Sequence, residues 1–341
     1  MTRTRNVFGA AALLLLTACP LPRELREVPA PPVNADLLVS VSQLQRRLND
    51  PATVILHVGR DRAGYDAGHI PGARFLPLSA IVTERDELPS AQALDDAFEA
   101  VGVSDDSRVV VYGDLGGVAA ARAFFTLDYL GHPPVVLNGG IEAWRAAGQA
   151  VATAAPAASR GSFTPRAHPE LVVDAAWVRA RLRDTTVALI DARPPEQYSG
   201  AEPGEGVQRP GHIPGARNLF GPNTVATAAN PVLRSPEVLR ALYRLAGGRF
   251  ASDVVYVRER PRYEPADTSQ AARRGRRQPE RRRPATTQPQ SRPNTVVLYG
   301  RTGVEASWDY FVARYLGYQT KMYDASYVDW SRRGPEYPVE R

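Results

Sequence analysis

One heptapeptide occurs twice in this chain, as Gly68-His69-Ile70-Pro71-Gly72-Ala73-Arg74 and as Gly211-His212-Ile213-Pro214-Gly215-Ala216-Arg217. The same order of segments surrounds each copy. An apolar run precedes it, at residues 53–58 and again at 187–191. A β-branched run follows it, Val109-Val110-Val111-Tyr112-Gly113 in the first half and Val296-Val297-Leu298-Tyr299-Gly300 in the second. Each run leads through a glycine-bearing turn into an amphipathic helix, 118–130 or 304–316. Both helices close on Leu-Gly, at Gly131 and Gly317, where glycine suits a helix C-terminus. Trp144 and Trp330 stand at the same distance beyond those leucines. Only two long units are present, so the repeat describes a duplicated domain and not a solenoid. Strands alternating with helices predict α/β domains, each a small parallel sheet flanked by helices. The pattern divides the chain into domains at 36–152 and 169–340, joined by a linker at 153–168. In such sheets ligands favour the turn after a strand's C-terminal end, which here means 113–117 and 300–303.

The N-terminus has a different character. Arg3 and Arg5 precede an apolar stretch, 7–16, that is short for a membrane-spanning helix and has the build of an export signal. It ends in Leu16-Thr17-Ala18-Cys19, which resembles a bacterial lipobox, although Pro20 is an uncommon follower. Residues 1–19 are accordingly expected to be a signal peptide and Cys19 the lipidated residue. Membrane lipid would then be a partner, and the protein would be exported and anchored to a cell-envelope membrane by acyl chains. Residues 20–35 read as a proline-rich tether. Cys19 is the sole cysteine, which excludes internal disulfides and cysteine-based metal clusters.

The formal charge of +6 misdescribes the folded parts. The segment from Arg258 to Pro293 holds 11 arginines against 4 acidic residues, leaving 31 basic against 32 acidic in the rest of the chain. A protein-wide nucleic-acid surface is not supported. With almost no apolar residues, this segment is expected to be disordered. It reads as a solvated loop, as a contact for an acidic surface, or as the product of a shifted reading frame in a GC-rich gene.

Taken together, the twice-used Gly-His-Ile-Pro-Gly-Ala motif, Asp191-Ala192-Arg193 upstream of its second copy, and residues 135–140 with Trp144 resemble the rhodanese family. The likeness is to its tandem-domain thiosulfate and 3-mercaptopyruvate sulfurtransferases and covers residues 36–340 apart from the basic segment. The family resemblance implies an inactive first domain and a second whose catalytic loop opens with cysteine, often as Cys-Arg-Thr-Gly-Val. This chain reads Gly300-Arg301-Thr302-Gly303-Val304-Glu305.

That departure removes the nucleophile. Sulfur transfer needs a thiolate to carry the persulfide, and neither Gly300 nor Gly113, its counterpart, has one. Phosphatase and arsenate-reductase relatives of this fold use the same cysteine and are excluded with it. Thr302 is a poor substitute without a base to activate it. The family's anion-holding arginine corresponds to Gln197, and His57 replaces an aspartate in the first domain. What remains is a candidate anion-binding loop, Gly300 to Glu305, for a small sulfur or phosphorus oxyanion, where backbone N–H groups and a helix N-terminus converge. Glu305 would oppose such an anion.

Asp191, Arg193, Gly211, His212, Pro214 and Gly215 are expected to be structural, with Asp191 and Arg193 paired; His69 reads as structural too. No metal site or cofactor is expected. The leading expectation is a degenerate sulfurtransferase that binds or scaffolds. The alternatives are an active sulfurtransferase with another nucleophile, and an envelope protein whose basic segment makes the contact.

Overall fold

Runs of β-branched residues buried on both faces require a sheet covered on both sides, and each half of the chain builds one. The computed structural model describes residues 32–249 and 294–341, with the backbone of Tyr256–Arg258 and Thr287–Pro289. In the first half, β1 (Leu38–Val39), β2 (Thr53–Gly59), β3 (Arg74–Pro77), β4 (Arg108–Gly113) and β5 (Val135–Leu137) form a parallel sheet in the order β1-β5-β4-β2-β3. Helices α1 (Val41–Gln45), α2 (Ala63–Ala67), α3 (Ala91–Ala100), α4 (Val118–Tyr129) and α5 (Gly140–Ala146) flank it.

The second half repeats the plan. Strands β6 (Val172–Val173), β7 (Val187–Asp191) and β8 (Arg217–Asn218) come first, with helices α6 (Ala175–Arg179), α7 (Pro195–Ser199) and α8 (Pro236–Leu245). Strands β9 (Tyr256–Arg258) and β10 (Thr287–Pro289) pair antiparallel as a separate ribbon. Then follow β11 (Thr295–Tyr299), α9 (Gly303–Leu316), β12 (Thr320–Tyr323) and α10 (Ser326–Arg332). The sheet order is β6-β12-β11-β7-β8, again parallel. The register coincides as well: His57 lies opposite Tyr112 in the first sheet, and Asp191 opposite Tyr299 in the second.

The two domains share one apolar core. It forms because α4 and α9 are apolar almost all round and pack against each other. Phe124 meets Phe311 with ring centroids 5.0 Å apart, and Phe125 meets Tyr310 at 4.9 Å, edge to face. Each such ring contributes about 1.5–3 kcal/mol by burial. Polar groups in the contact are matched: Asp128 accepts from Tyr310 Oη at 2.8 Å and from Arg314 at 2.9 and 3.0 Å. The seam is pseudo-symmetric. Asn138 Oδ1 accepts from the Leu233 N–H of the other domain at 2.9 Å, and its counterpart Asp324 accepts from the Leu88 N–H at 2.6 Å. The opposite face of each sheet has its own smaller core, around Trp144 and around Trp330.

Parts of three connecting segments are tied into the described fold. The end of the predicted tether is docked: Asn34 donates from its backbone N–H to the Tyr315 carbonyl at 2.7 Å and from its side chain to the Arg314 carbonyl at 2.7 Å. The predicted linker is fastened to the first domain by buried Phe163 and by Arg160, which pairs with Asp96 and Glu99. The predicted disordered segment carries strand β10 and begins within β9. Cys19, the signal-like residues 1–19 and most of the basic segment lie outside the described residues.

Candidate functional site

The two Gly-His-Ile-Pro-Gly-Ala turns are built alike, and their histidines are used structurally. His69 Nδ1 bonds the Tyr65 carbonyl at 2.8 Å and its ring stacks on Tyr65 at 3.8 Å. His212 Nδ1 bonds the Tyr198 carbonyl at 3.0 Å and stacks on Tyr198 at 3.9 Å. Tyr65 and Tyr198 donate their hydroxyls onward to the Ala73 and Ala216 carbonyls. Gly211 has φ +123, and a Cβ there would meet the Glu340 carbonyl at 2.1 Å, so only glycine fits. Pro214 and Gly215 complete this turn at the domain edge, where the Gly215 N–H donates to Glu340 at 3.2 Å.

Asp191 and Arg193 form a fully buried bidentate pair, with contacts of 2.5 to 3.1 Å. Arg193 also donates to the Gly211 carbonyl at 2.8 Å and lies 3.8 Å from the Tyr327 ring centroid. Burial alone would lower the Arg193 pKa, but the hydrogen bond and charge of Asp191 outweigh it and raise the value above the ordinary one. The first domain does the same job with different residues. There Arg145, from α5, donates to the equivalent Gly68 carbonyl at 3.0 Å, while His57 Nε2 lies 3.1 Å from Asp114 Oδ1.

The loop from Gly300 to Glu305 runs from the end of β11 into the first turn of α9. The Gly300 and Arg301 carbonyls accept from the Tyr327 and Val328 N–H groups at 3.0 and 3.1 Å, and the Gly300 N–H donates to Ser326 Oγ at 3.2 Å. A Cβ at Gly300 would stand 2.9 Å from both Glu305 Cβ and the Thr302 carbonyl. At Gly303 a Cβ would collide with Asp324 and Arg122, which pair beneath the loop at 2.5 Å. Glu305 turns back over the loop: its carboxylate accepts from the Arg301 N–H at 2.9 Å and from Arg301 Nε at 3.0 Å. The expected cradle is therefore already occupied by a carboxylate of the chain itself. Thr302 is 7% exposed, and its hydroxyl has no hydrogen-bond partner.

Arg301, Thr302, Val304 and Glu305 face an interdomain cleft of ≈ 400 Å³ whose other wall includes Arg60, Ser79, Asp86 and Leu115. Gln197 lies behind Arg301 with its side-chain oxygen buried and unpartnered, adjoining Gly204. The corresponding space at the first domain's loop is only ≈ 20 Å³, because Trp308 from α9 lies on Gly117.

Sequence reasoning missed Arg60, Arg122, Asp324 and Trp308 as determinants of this region. The available signal was Arg122, the one cation of the largely apolar helix α4. Among the described residues, no group of three or more His, Cys, Asp or Glu side chains is placed to hold a metal, and no helix is long and apolar enough to cross a membrane.

Two parallel sheets with a strand-to-helix loop at the interdomain cleft define a tandem α/β protein built on the sulfurtransferase plan. The chain belongs to the family described as "Rhodanese-like domain", which matches residues 40–147 and 174–333. It is 30% identical to the "Sulfur carrier protein TtuD" of Thermus thermophilus, over 86% of this chain and 93% of that protein. It is 28% identical to a "Thiosulfate sulfurtransferase" of Pseudomonas aeruginosa, over 89% of this chain and 97% of the relative. A "Probable 3-mercaptopyruvate sulfurtransferase" of the same organism is 35% identical over 53% of this chain and 69% of its own length. The wild-type structure of EanB superimposes with a TM-score of 0.70 at 21% identity, covering 89% of this chain and 69% of that one, which shows a shared fold.

Proposed function

We propose that this protein is a non-catalytic member of its family that binds a small oxyanion at the loop from Gly300 to Glu305 and does not transfer sulfur. The observation that carries the proposal is position 300. The sole cysteine is Cys19, and the loop's first residue is a glycine around which Glu305 and Thr302 close to 2.9 Å of where a Cβ would stand. Without a thiolate no persulfide forms there. Thr302 does not replace it, since the carboxylate nearest in sequence, Glu305, is engaged by Arg301. Binding is supported by what remains: the N-terminus of α9, the unpartnered Thr302 hydroxyl, and Arg301 and Arg60 on facing walls of the cleft.

The test is thiocyanate formation from thiosulfate and cyanide by purified protein, with mass spectrometry of the product. The expected outcome is the buffer rate and no added sulfur. Turnover well above that rate, or a persulfide on the mature chain, refutes the proposal. Export and lipid anchoring at Cys19 belong to the same reading and rest on the lipobox-like sequence alone. Palmitate labelling that persists in Cys19→Ala would remove them. The basic segment is proposed to touch anionic surfaces; vesicle binding that survives its deletion, or high salt, excludes that role.

A further inference from the structure

We infer that Glu305 is the resident anion of the 300–305 loop and sets its ligand specificity, so that an outside oxyanion binds only by displacing this carboxylate. The inference deepens the oxyanion-binding proposal and rests on it. Its starting point is a hydrogen-bond pattern that does not match the local sequence. Thr302-Gly303-Val304-Glu305 is a capping-box sequence at the start of a helix. In that motif the threonine hydroxyl accepts from the N–H three residues on, and the glutamate reaches back to the threonine N–H. The same chain completes such a box at Ser40 and Gln43 of α1, with bonds of 3.3 and 2.8 Å.

At α9 neither half forms. Thr302 makes no cap bond and its buried hydroxyl is left without a partner. The Glu305 carboxylate passes over Thr302 to the next residue back, taking the Arg301 N–H with one oxygen and Arg301 Nε with the other. A backbone N–H and a guanidinium aimed at two oxygens of one anion are the contacts that a bound oxyanion would make in a loop of this kind. The carboxylate thus gives up its usual helix-capping position for the anion's place. An unsatisfied buried hydroxyl costs free energy, so the α9 start as it stands retains a donor for which a ligand oxygen is the natural acceptor.

The Glu305 side chain is 34% exposed at the cleft wall, so it has room to swing outward. The species that fits is one that can replace both contacts, a tetrahedral or planar oxyanion such as sulfate, thiosulfate or phosphate. Asp86 lies in the same cleft and carries the same charge, but it makes no hydrogen bond to the loop and stands on the opposite wall. It separates displacement from general repulsion.

The experiment is calorimetric titration of sulfate into the full-length protein, Glu305→Gln, Glu305→Ala and Asp86→Asn, with the Arg301 amide shift followed by NMR. Circular dichroism confirms that each variant is folded. The expected result is affinity about tenfold tighter in both Glu305 variants than in the wild type or Asp86→Asn. The Arg301 amide should move on mutation and move again on adding sulfate. Equal sulfate affinity in wild type and the Glu305 variants overturns the inference and leaves oxyanion binding standing. An equal gain in Asp86→Asn overturns it in favour of bulk repulsion. No binding by any form, at sulfate concentrations where the variants are folded, overturns both this inference and the oxyanion reading.

Discussion

The loops at 113–117 and 300–303 occupy the same place in the two domains, yet one is sealed and the other is open. In the first domain the seal is Trp308, whose ring lies where a Cβ on Gly117 would meet it at 2.6 Å. Trp308 also donates its indole N–H to Thr224 at 2.8 Å, which fixes the ring. The matching position on α4 is Arg122. It lies beneath the second loop, paired with Asp324, and leaves the cleft above free. One substitution in a duplicated helix, a large aromatic against an ion-paired arginine, thus decides which loop remains accessible. Both loops also satisfy themselves with a carboxylate of their own, Asp114 against His57 and Glu305 against Arg301. The difference is that Asp114 is backed by a buried ring among Tyr65, Phe75 and Tyr112, whereas Glu305 is held by a side chain at the cleft wall.

The largest expected effect comes from removing the seal. Trp308→Ala should cost about 3–5 kcal/mol, from lost burial and a cavity at the shared core. Leu115→Ala, on the wall of the open cleft, should change stability by less than about 0.5 kcal/mol, since Leu115 is 44% exposed. Urea denaturation of both variants measures the contrast. A cost below about 1 kcal/mol for Trp308→Ala would mean that the first loop is closed by something other than this ring.

The duplicated plan was legible because it is written in local chemistry. A repeated turn motif, β-branched runs and Leu-Gly helix ends each follow from neighbours in sequence. The missing thiol was legible for the same reason, since Gly300 is a single position in a recognisable loop. The contents of the cleft were not. Trp308 reads as ordinary core from its sequence neighbours, and only the packing of α4 on α9 carries it across to Gly117. The Glu305 contact was hidden differently: the local sequence predicts a capping box, and the observed bonds run to Arg301 instead. Residues 20–35 read as a tether from their prolines, whereas the partners of Asn34 lie some 280 residues away.

The two loop glycines sharpen the contrast at the next level. A Cβ at Gly113 would stand 2.1 Å from the Val58 carbonyl oxygen, on a neighbouring strand that cannot move without disturbing the sheet. At Gly300 the nearest atoms are 2.9 to 3.0 Å away and belong to the loop and the first turn of α9. Gly113→Ala is therefore expected to cost about 3 kcal/mol and Gly300→Ala about 1 kcal/mol. Thermal unfolding of the pair gives the order directly. A Gly300→Ala cost equal to that of Gly113→Ala would show the second loop to be as rigid as the first. By the same geometry Gly300→Cys should fold, and it would then restore a thiol at the first residue of the loop.

The last contrast depends on pH and concerns Asp309, which occupies the position on α9 that Ala123 occupies on α4. Asp309 is fully buried and neither carboxyl oxygen has a hydrogen-bond partner. Burial pushes its pKa well above the ordinary carboxylate range, and the Asp191 charge adds in the same direction. In the folded protein the group therefore keeps its proton at pH values where the unfolded chain, with an ordinary carboxylate pKa of about 4, has lost it. The native state then binds more protons than the unfolded state, so its stability falls as pH rises above that value and is fully retained below it. The slope reaches about 1.4 kcal/mol per pH unit for one proton. Asp309→Ala, which copies the first domain, should remove this component. The stability difference between variant and wild type should accordingly grow in favour of the variant over the interval above about pH 5. A difference that stays constant over that interval would mean that Asp309 is ionised in the fold and has found a counter-charge.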